Sequence, residues 1–171
     1  MFGFFKKKQE PIVELTLHNL TVGATLEYDM NNWVVQEIYS YIWENNFKSR
    51  EYKISDGAVV LFLEIDNENT ILLTKPTEIS TIAPEFKNEV LTHSTIPENI
   101  IHKSEIYKLE EEAFGEFQKE GNEGWSELTS WMYWNEKEEF ICIERWSKFE
   151  FEAHLGQKLN PFAIDNLLPG N

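Results

Sequence analysis

Val60-Leu61-Phe62-Leu63-Glu64-Ile65-Asp66 and Glu139-Phe140-Ile141-Cys142-Ile143-Glu144-Arg145-Trp146 are two short apolar stretches, each with one glutamate in the same place, 80 residues apart. Each follows a segment bearing Tyr or Trp, Glu51 to Ile54 in the first copy and Trp131 to Trp134 in the second. Each precedes a further alternating run, Thr70 to Thr74 and Phe149 to Leu155. Self-similarity at a fixed interval marks a repeated structural unit. Short runs of β-branched and aromatic residues bounded by turn residues are strands. The pair therefore predicts two similar antiparallel β units.

Outward from the first copy, Asp56-Gly57 is a hairpin signal between two β-rich runs. Ala58 to Ile65 is apolar on both faces, as a central strand is. Trp33 to Trp43 is a long strand whose odd-numbered face, Trp33, Val35, Tyr39, Tyr41 and Trp43, is aromatic at period two and broken by Glu37. Lys75 to Lys103 is punctuated by Pro76, Pro84 and Pro97 and keeps no strand period, so it reads as a connection with a helical turn near Pro84 to Leu91. In the second copy, Ile106 to Glu112 and Ala113 to Phe117 read as strands bent at Gly115, followed by strands Glu127 to Trp134, Glu139 to Trp146 and Lys148 to Leu155. In the last of these, Phe149, Phe151, Ala153 and Leu155 alternate with Lys148, Glu150, Glu152 and His154, which predicts one buried and one wet face. Pro161 to Leu168 is expected to form a short terminal helix, stopped by Pro169-Gly170. The expected fold is mainly β: two similar antiparallel units, barrel- or sandwich-like, with short helical turns in the connection and at the C-terminus. The expected boundaries are a flexible segment 1–10, a first unit 11–75, a connection 76–104 and a second unit 105–171, in one compact body.

Composition narrows the function. The 171 residues are 42% hydrophobic and 14% aromatic, enough to bury a real core. Thirty acidic residues against fifteen basic give a net charge of −15. That argues against nucleic acid, which needs Lys and Arg on its phosphates. The acid is densest between Ser104 and Glu152, as a solvated face or as a dock for a basic partner or a cation. One cysteine, Cys142, leaves no internal disulfide. No run of apolar residues is long enough to span a bilayer and no secretory signal opens the chain, so a cytoplasmic location is expected. Phe2, Phe4 and Phe5 beside Lys6, Lys7 and Lys8 could rest on an anionic membrane surface, which would make the protein peripheral to the inner membrane.

Leu20 to Trp43, with Val22-Gly23, Leu26, Tyr28, Trp33-Val34-Val35 and the Tyr39-x-Tyr41-x-Trp43 alternation, resembles the start of the domain-of-unknown-function 4178 family. Phe62-Leu63-Glu64, Ile106-Tyr107-x-Leu109-x-Glu111, Ile143-Glu144-x-Trp146 and Glu150 to Gly156 carry the resemblance on, so that it covers about Leu15 to Pro169. The motifs are aromatic strands and turns, and no catalytic residue comes with them. The resemblance implies a bacterial accessory protein of the cytosol, in a setting like envelope-stress or phage-shock gene clusters.

Glu64 and Glu144 are the candidate site residues, with Trp131 and Trp134 as candidate walls. A pseudo-twofold arrangement would bring the two carboxylates together, raising one pKa for acid/base work or holding a cation. The competing expectation pairs each with a base such as Arg50 or Arg145. His18, His93, His102 and His154 lack paired ligand spacing, and Cys142 sits between two isoleucines as a core residue would, so no metal, cofactor or catalytic residue is expected. Two functions follow. One is a non-enzymatic module for a protein partner, of undetermined oligomeric state, at the cytoplasmic membrane face. The other is a small-molecule binder or enzyme using a cavity between the halves with Glu64 and Glu144. A polar-lined cavity holding both carboxylates would favour the second.

Overall fold

A computed structural model describes residues 14–170. Eleven strands form one antiparallel sheet: β1 (Thr25–Tyr28), β2 (Asn31–Trp43), β3 (Lys48–Ser55), β4 (Val60–Asp66), β5 (Ile71–Thr77), β6 (Asn99–His102), β7 (Glu105–Lys119), β8 (Ser126–Trp134), β9 (Glu139–Arg145), β10 (Phe151–Leu159) and β11 (Ile164–Leu168). The strand order is β11-β1-β2-β3-β4-β5-β10-β9-β8-β7-β6, and β2 also pairs with β7. That last pairing closes β2 to β5 and β7 to β10 into an eight-stranded barrel. Closure pairs both edges of the eight-stranded wall and leaves the short β11 and β6 as the outer edge strands. Among the described residues no helix is long and apolar enough to cross a membrane.

The two quoted stretches become β4 and β9 and occupy equivalent places. Glu64 stands opposite Leu72 of β5, and Glu144 stands opposite Glu152 of β10. Where the halves meet, Thr77 pairs with Ala153 and Leu73 with Gln157, as a two-fold relation between them requires. At the other seam Tyr41 pairs with Phe117 and Trp43 with Gly115.

Each half begins with a long strand that serves two partners, and a bulge marks the change. Early β2 pairs with β1 and late β2 with β7, and the register of β2 against β3 shifts between Val35 and Glu37. Early β7 pairs with β6 and late β7 with β2, and its register against β8 shifts between Leu109 and Glu111. An extra residue in one strand of a pair flips which face the following side chains occupy. Trp33 and Val35 therefore pack outside the barrel while Tyr39, Tyr41 and Trp43 line its inside. The face expected to run along one side of the strand, broken at Glu37, is divided between the two sides of the wall.

The apolar cores lie outside the barrel wall. Leu63, Ile65, Ile71, Leu73, Tyr52 and Ile54 turn outward beneath Leu20, Leu26 and Ile164. On the opposite half Trp131, Tyr133, Ile141, Ile143 and Phe151 turn outward beneath α1 (Ile79–Ile82) and α2 (Phe86–Asn88). Phe86 of α2 is fully buried and meets the rings of Trp131 at 5.4 Å and Phe151 at 6.3 Å. Burial of such aromatic surfaces fixes the connection onto the barrel.

Three local expectations are corrected. Ile164–Leu168 is a strand on β1, and the helical piece beside it is the turn Pro161–Ala163, capped by the Asn160 side chain. Backbone pairing with β1 outweighs the helical reading. Asn99–His102, read as irregular, is β6. Ile106–Glu112 and Ala113–Phe117, expected as two strands, are one continuous strand, β7, and Gly115 lies within it. That glycine makes room for Trp43, whose Cε3 would stand 2.6 Å from an added Cβ. Gly156 of β10 does the same beneath the Phe140 ring.

Gly115→Ala and Gly156→Ala should each lower stability by about 1–3 kcal/mol, because the wall aromatics must leave their rotamers. Urea denaturation followed by tryptophan fluorescence reads this. An unchanged midpoint would show that the rings have room to move aside.

Candidate functional site

Since the apolar sides of the strands face outward, the polar positions of each repeat face inward. They enclose a cavity of about 730 Å³. Glu64 and Glu144 both line it, and so does Trp134. Trp131 points the other way, into the outer core, where its indole N–H donates to Glu112 at 2.9 Å. Phe2, Phe4, Phe5, Lys6, Lys7 and Lys8 lie outside the described residues.

Neither arginine neutralises the paired glutamates. Arg50 pairs with Glu120 at 3.7 Å, and Arg145 donates to the backbone carbonyls of Ser147 and Lys148. The cavity wall instead adds more acid: Glu51 opposite Glu64 on β3, Glu152 opposite Glu144 on β10, Glu111 on β7, and Asp66 and Glu150 toward the strand ends. Among the described residues the wall offers Lys158 and His154 as its basic groups against these seven carboxyls.

Burial governs the ionisation of Glu51, Glu64 and Glu144, whereas His154 beside Glu152 lowers that carboxyl. Burial pushes Glu51 up to about 8, the charge of Glu64 adding to the effect and the Tyr41 hydroxyl, which donates to Glu51 Oε1 at 2.9 Å, opposing it. Burial likewise raises Glu64, and raises Glu144 well above the ordinary carboxylate range, with the charges of Glu51 and Glu64 adding to the latter. Fixed carboxyls in a space of low dielectric cannot all ionise without a counter-charge. Cys142, expected in the core, also lines the cavity, 3.3 Å from the Ser130 hydroxyl. Burial raises its thiol well above the usual range, so it is not a ready thiolate.

Aromatic rings form the rest of the wall. Tyr41 and Trp43 lie parallel with centroids 5.4 Å apart, Phe117 stands 6.2 Å from Tyr41, and Trp146 meets Phe117 edge-on at 4.4 Å. They bridge β2 and β7 and continue to the end of β9. The Tyr39 hydroxyl donates to Glu37 at 2.6 Å, and Glu37 also takes Lys119 at 2.7 Å and Lys53 at 3.3 Å. Lys119 foremost, with Tyr39 and Lys53, holds the Glu37 carboxyl down at about 2. Glu37 is thus compensated, and the deeper carboxyls are not.

The sequence reading missed Glu51, Glu152 and His154. The last two form the alternate face of β10, which the alternation predicts to be wet and which instead looks into the cavity.

The family model described as a domain of unknown function, DUF4178, matches residues 21–161. An uncharacterised protein of Aquifex aeolicus is 25% identical over 164 residues, covering 96% of this chain and 91% of its own length. No solved structure matches the chain at a significant level.

The Glu51 carboxyl sets a pH signature. An unfolded glutamate loses its proton near the ordinary value of 4.5, whereas the folded one keeps it to about 8. The folded state then holds more protons than the unfolded state across that interval, so stability falls as pH rises through it. Between pH 5 and 8 the unfolding free energy should drop by on the order of a few kcal/mol, and Glu51→Gln should flatten the slope. Glu37 acts in the opposite sense: its stabilisation is complete above 4.5 and fades as pH falls toward 2. Urea titrations at stepped pH measure both limbs. A slope unchanged in Glu51→Gln would contradict this assignment.

Proposed function

The chain belongs to the DUF4178 family, and we propose that its barrel is a small-molecule binder whose ligand is an organic cation with a flat or apolar body. The observation that carries this reading is the closed barrel whose interior holds the glutamates of both repeats together with an aromatic wall. The cavity volume falls within the range of about 300–1,000 Å³ typical of small-molecule sites. Among the described residues, seven carboxyls facing one lysine and one histidine favour a positive guest over an anion. The faces of Tyr41, Trp43 and Phe117 suit the apolar part of the guest and attract a cation through their ring quadrupoles. A bound ammonium group would replace the protons that burial keeps on Glu51 and Glu64, so binding should release protons and tighten as pH rises.

Of the two functions left open by the sequence, the ligand binder gains support from this cavity. The measurement is a thermal-shift panel in EDTA with probes of matched size: tryptamine and benzyltrimethylammonium against indole-3-acetate and benzyl alcohol. A cation at ten times its dissociation constant should add about 1.4 kcal/mol, which is roughly 3–6 °C for a chain of this size. The anionic and neutral probes should have little effect, and Glu64→Gln should remove the cation shift. Equal shifts from cation and anion, or none from any cation, would overturn the proposal.

A further inference from the structure

One corner of the cavity differs from the rest. Glu152 lies directly across from Glu144, and His154 across from Cys142, in the β9–β10 register. One oxygen from each carboxylate and one ring nitrogen of His154 lie within 4.8 Å of one another. His154 Nε2 stands 3.9 Å from Glu144 Oε2 and 3.9 Å from Glu152 Oε2. Both distances exceed hydrogen-bond reach, which ends at about 3.2 Å.

His154 is both buried and unpartnered. It is only 8% exposed, its side chain faces the cavity, and neither Nδ1 nor Nε2 has a hydrogen-bond partner among the described residues. Buried polar atoms are nearly always paired, and a neutral imidazole carries one donor and one acceptor that both seek partners. Phe62 meets the ring at right angles with centroids 5.6 Å apart, so the imidazole is packed on its flank while its nitrogens stay unmet. An unpaired, packed imidazole facing two carboxylates is the arrangement of a ligand set without its ion.

The other half of the barrel gives an internal comparison. The residue opposite Glu64 is Leu72, where Glu152 stands opposite Glu144. Two residues further along, Thr74 takes the place of His154. The triad is therefore confined to one half and is not part of what the repeat needs in order to fold.

We propose that Glu144, Glu152 and His154 bind one divalent transition-metal ion of the Mn²⁺ to Zn²⁺ series at the cavity wall. An imidazole with two carboxylates suits these ions, whereas Mg²⁺ and Ca²⁺ favour oxygen-only shells. With metal–ligand bonds of about 2.0–2.2 Å, ligand atoms stand roughly 3–3.5 Å apart, so the 3.9 Å gaps need to close by only a fraction of an ångström. Three protein ligands leave coordination positions open toward the cavity, where a water or a guest can enter.

The test uses the full chain, stripped with EDTA and desalted, in buffer free of organic cations. Zn²⁺ is titrated by calorimetry and Co²⁺ by visible absorbance. One equivalent of each should bind, with cobalt ligand-field bands appearing in step. Glu152→Gln and His154→Asn should each weaken binding at least tenfold, and Glu68→Gln, in an exposed turn, should not. The Glu152 side chain is 57% exposed, so its substitution leaves folding intact, and the metal-free melting temperature verifies this. No saturable Zn²⁺ binding below about 1 mM, or affinities unchanged in both variants, would overturn the site. Amine-probe shifts in the stripped protein report on the cavity reading separately, so failure of one leaves the other standing.

Discussion

Mutual repulsion and desolvation among carboxyls inside a closed barrel is the constraint on which the rest of this structure turns. Most small barrels fill their interior with apolar side chains. Here Leu63, Ile65, Ile141 and Ile143 point outward, and the glutamates beside them in sequence point inward. The wall must then be held from outside. β1, β11 and the segment around Leu20 cover one half, and β6 with α1 and α2 covers the other. Stability comes from these two outer cores, and the interior is left free to be charged, roomy and costly. Fold and chemistry are thus separated by a single strand's alternation.

The bulges make this division workable. A straight β2 would place Trp33, Val35, Tyr39, Tyr41 and Trp43 on one face, and they could not both plug an outer core and wall a cavity. The shift between Val35 and Glu37 hands the first two to the core and the last three to the cavity at the point where β2 trades β1 for β7. The shift between Leu109 and Glu111 repeats the device in the second half. Glycines complete it: Gly115 and Gly156 give up a side chain so that Trp43 and Phe140 can lie across the wall. Where the halves diverge, at Leu72 against Glu152 and Thr74 against His154, the asymmetry is chemical and leaves the scaffold unchanged.

Much of the fold was legible because it rests on period and punctuation. The repeated strands β4 and β9, the Asp56-Gly57 turn and the long β2 all follow from alternation and turn chemistry. The bulges were not legible, since one inserted residue leaves no compositional trace. β6 and β11 escaped because they are short edge strands held by backbone pairing, which any side chain permits. At the site, Glu64 and Glu144 stood out as lone acids in apolar runs. Glu152 and His154 did not, because alternation reveals that β10 has two faces but not that its polar face looks into a cavity. Trp131 and Trp134 illustrate the same gap: three residues apart in one strand, they fall on opposite sides of the wall.

The most direct test of an uncompensated acidic interior is a carbon-detected NMR titration of the glutamate carboxyls. A small set of side-chain carboxyl resonances should keep their protonated shift to about pH 6 or beyond, and members of that set should vanish in Glu51→Gln and Glu64→Gln. If every glutamate has reached its ionised shift by then, the barrel interior is open to water or internally neutralised, and burial does not hold protons on its carboxyls.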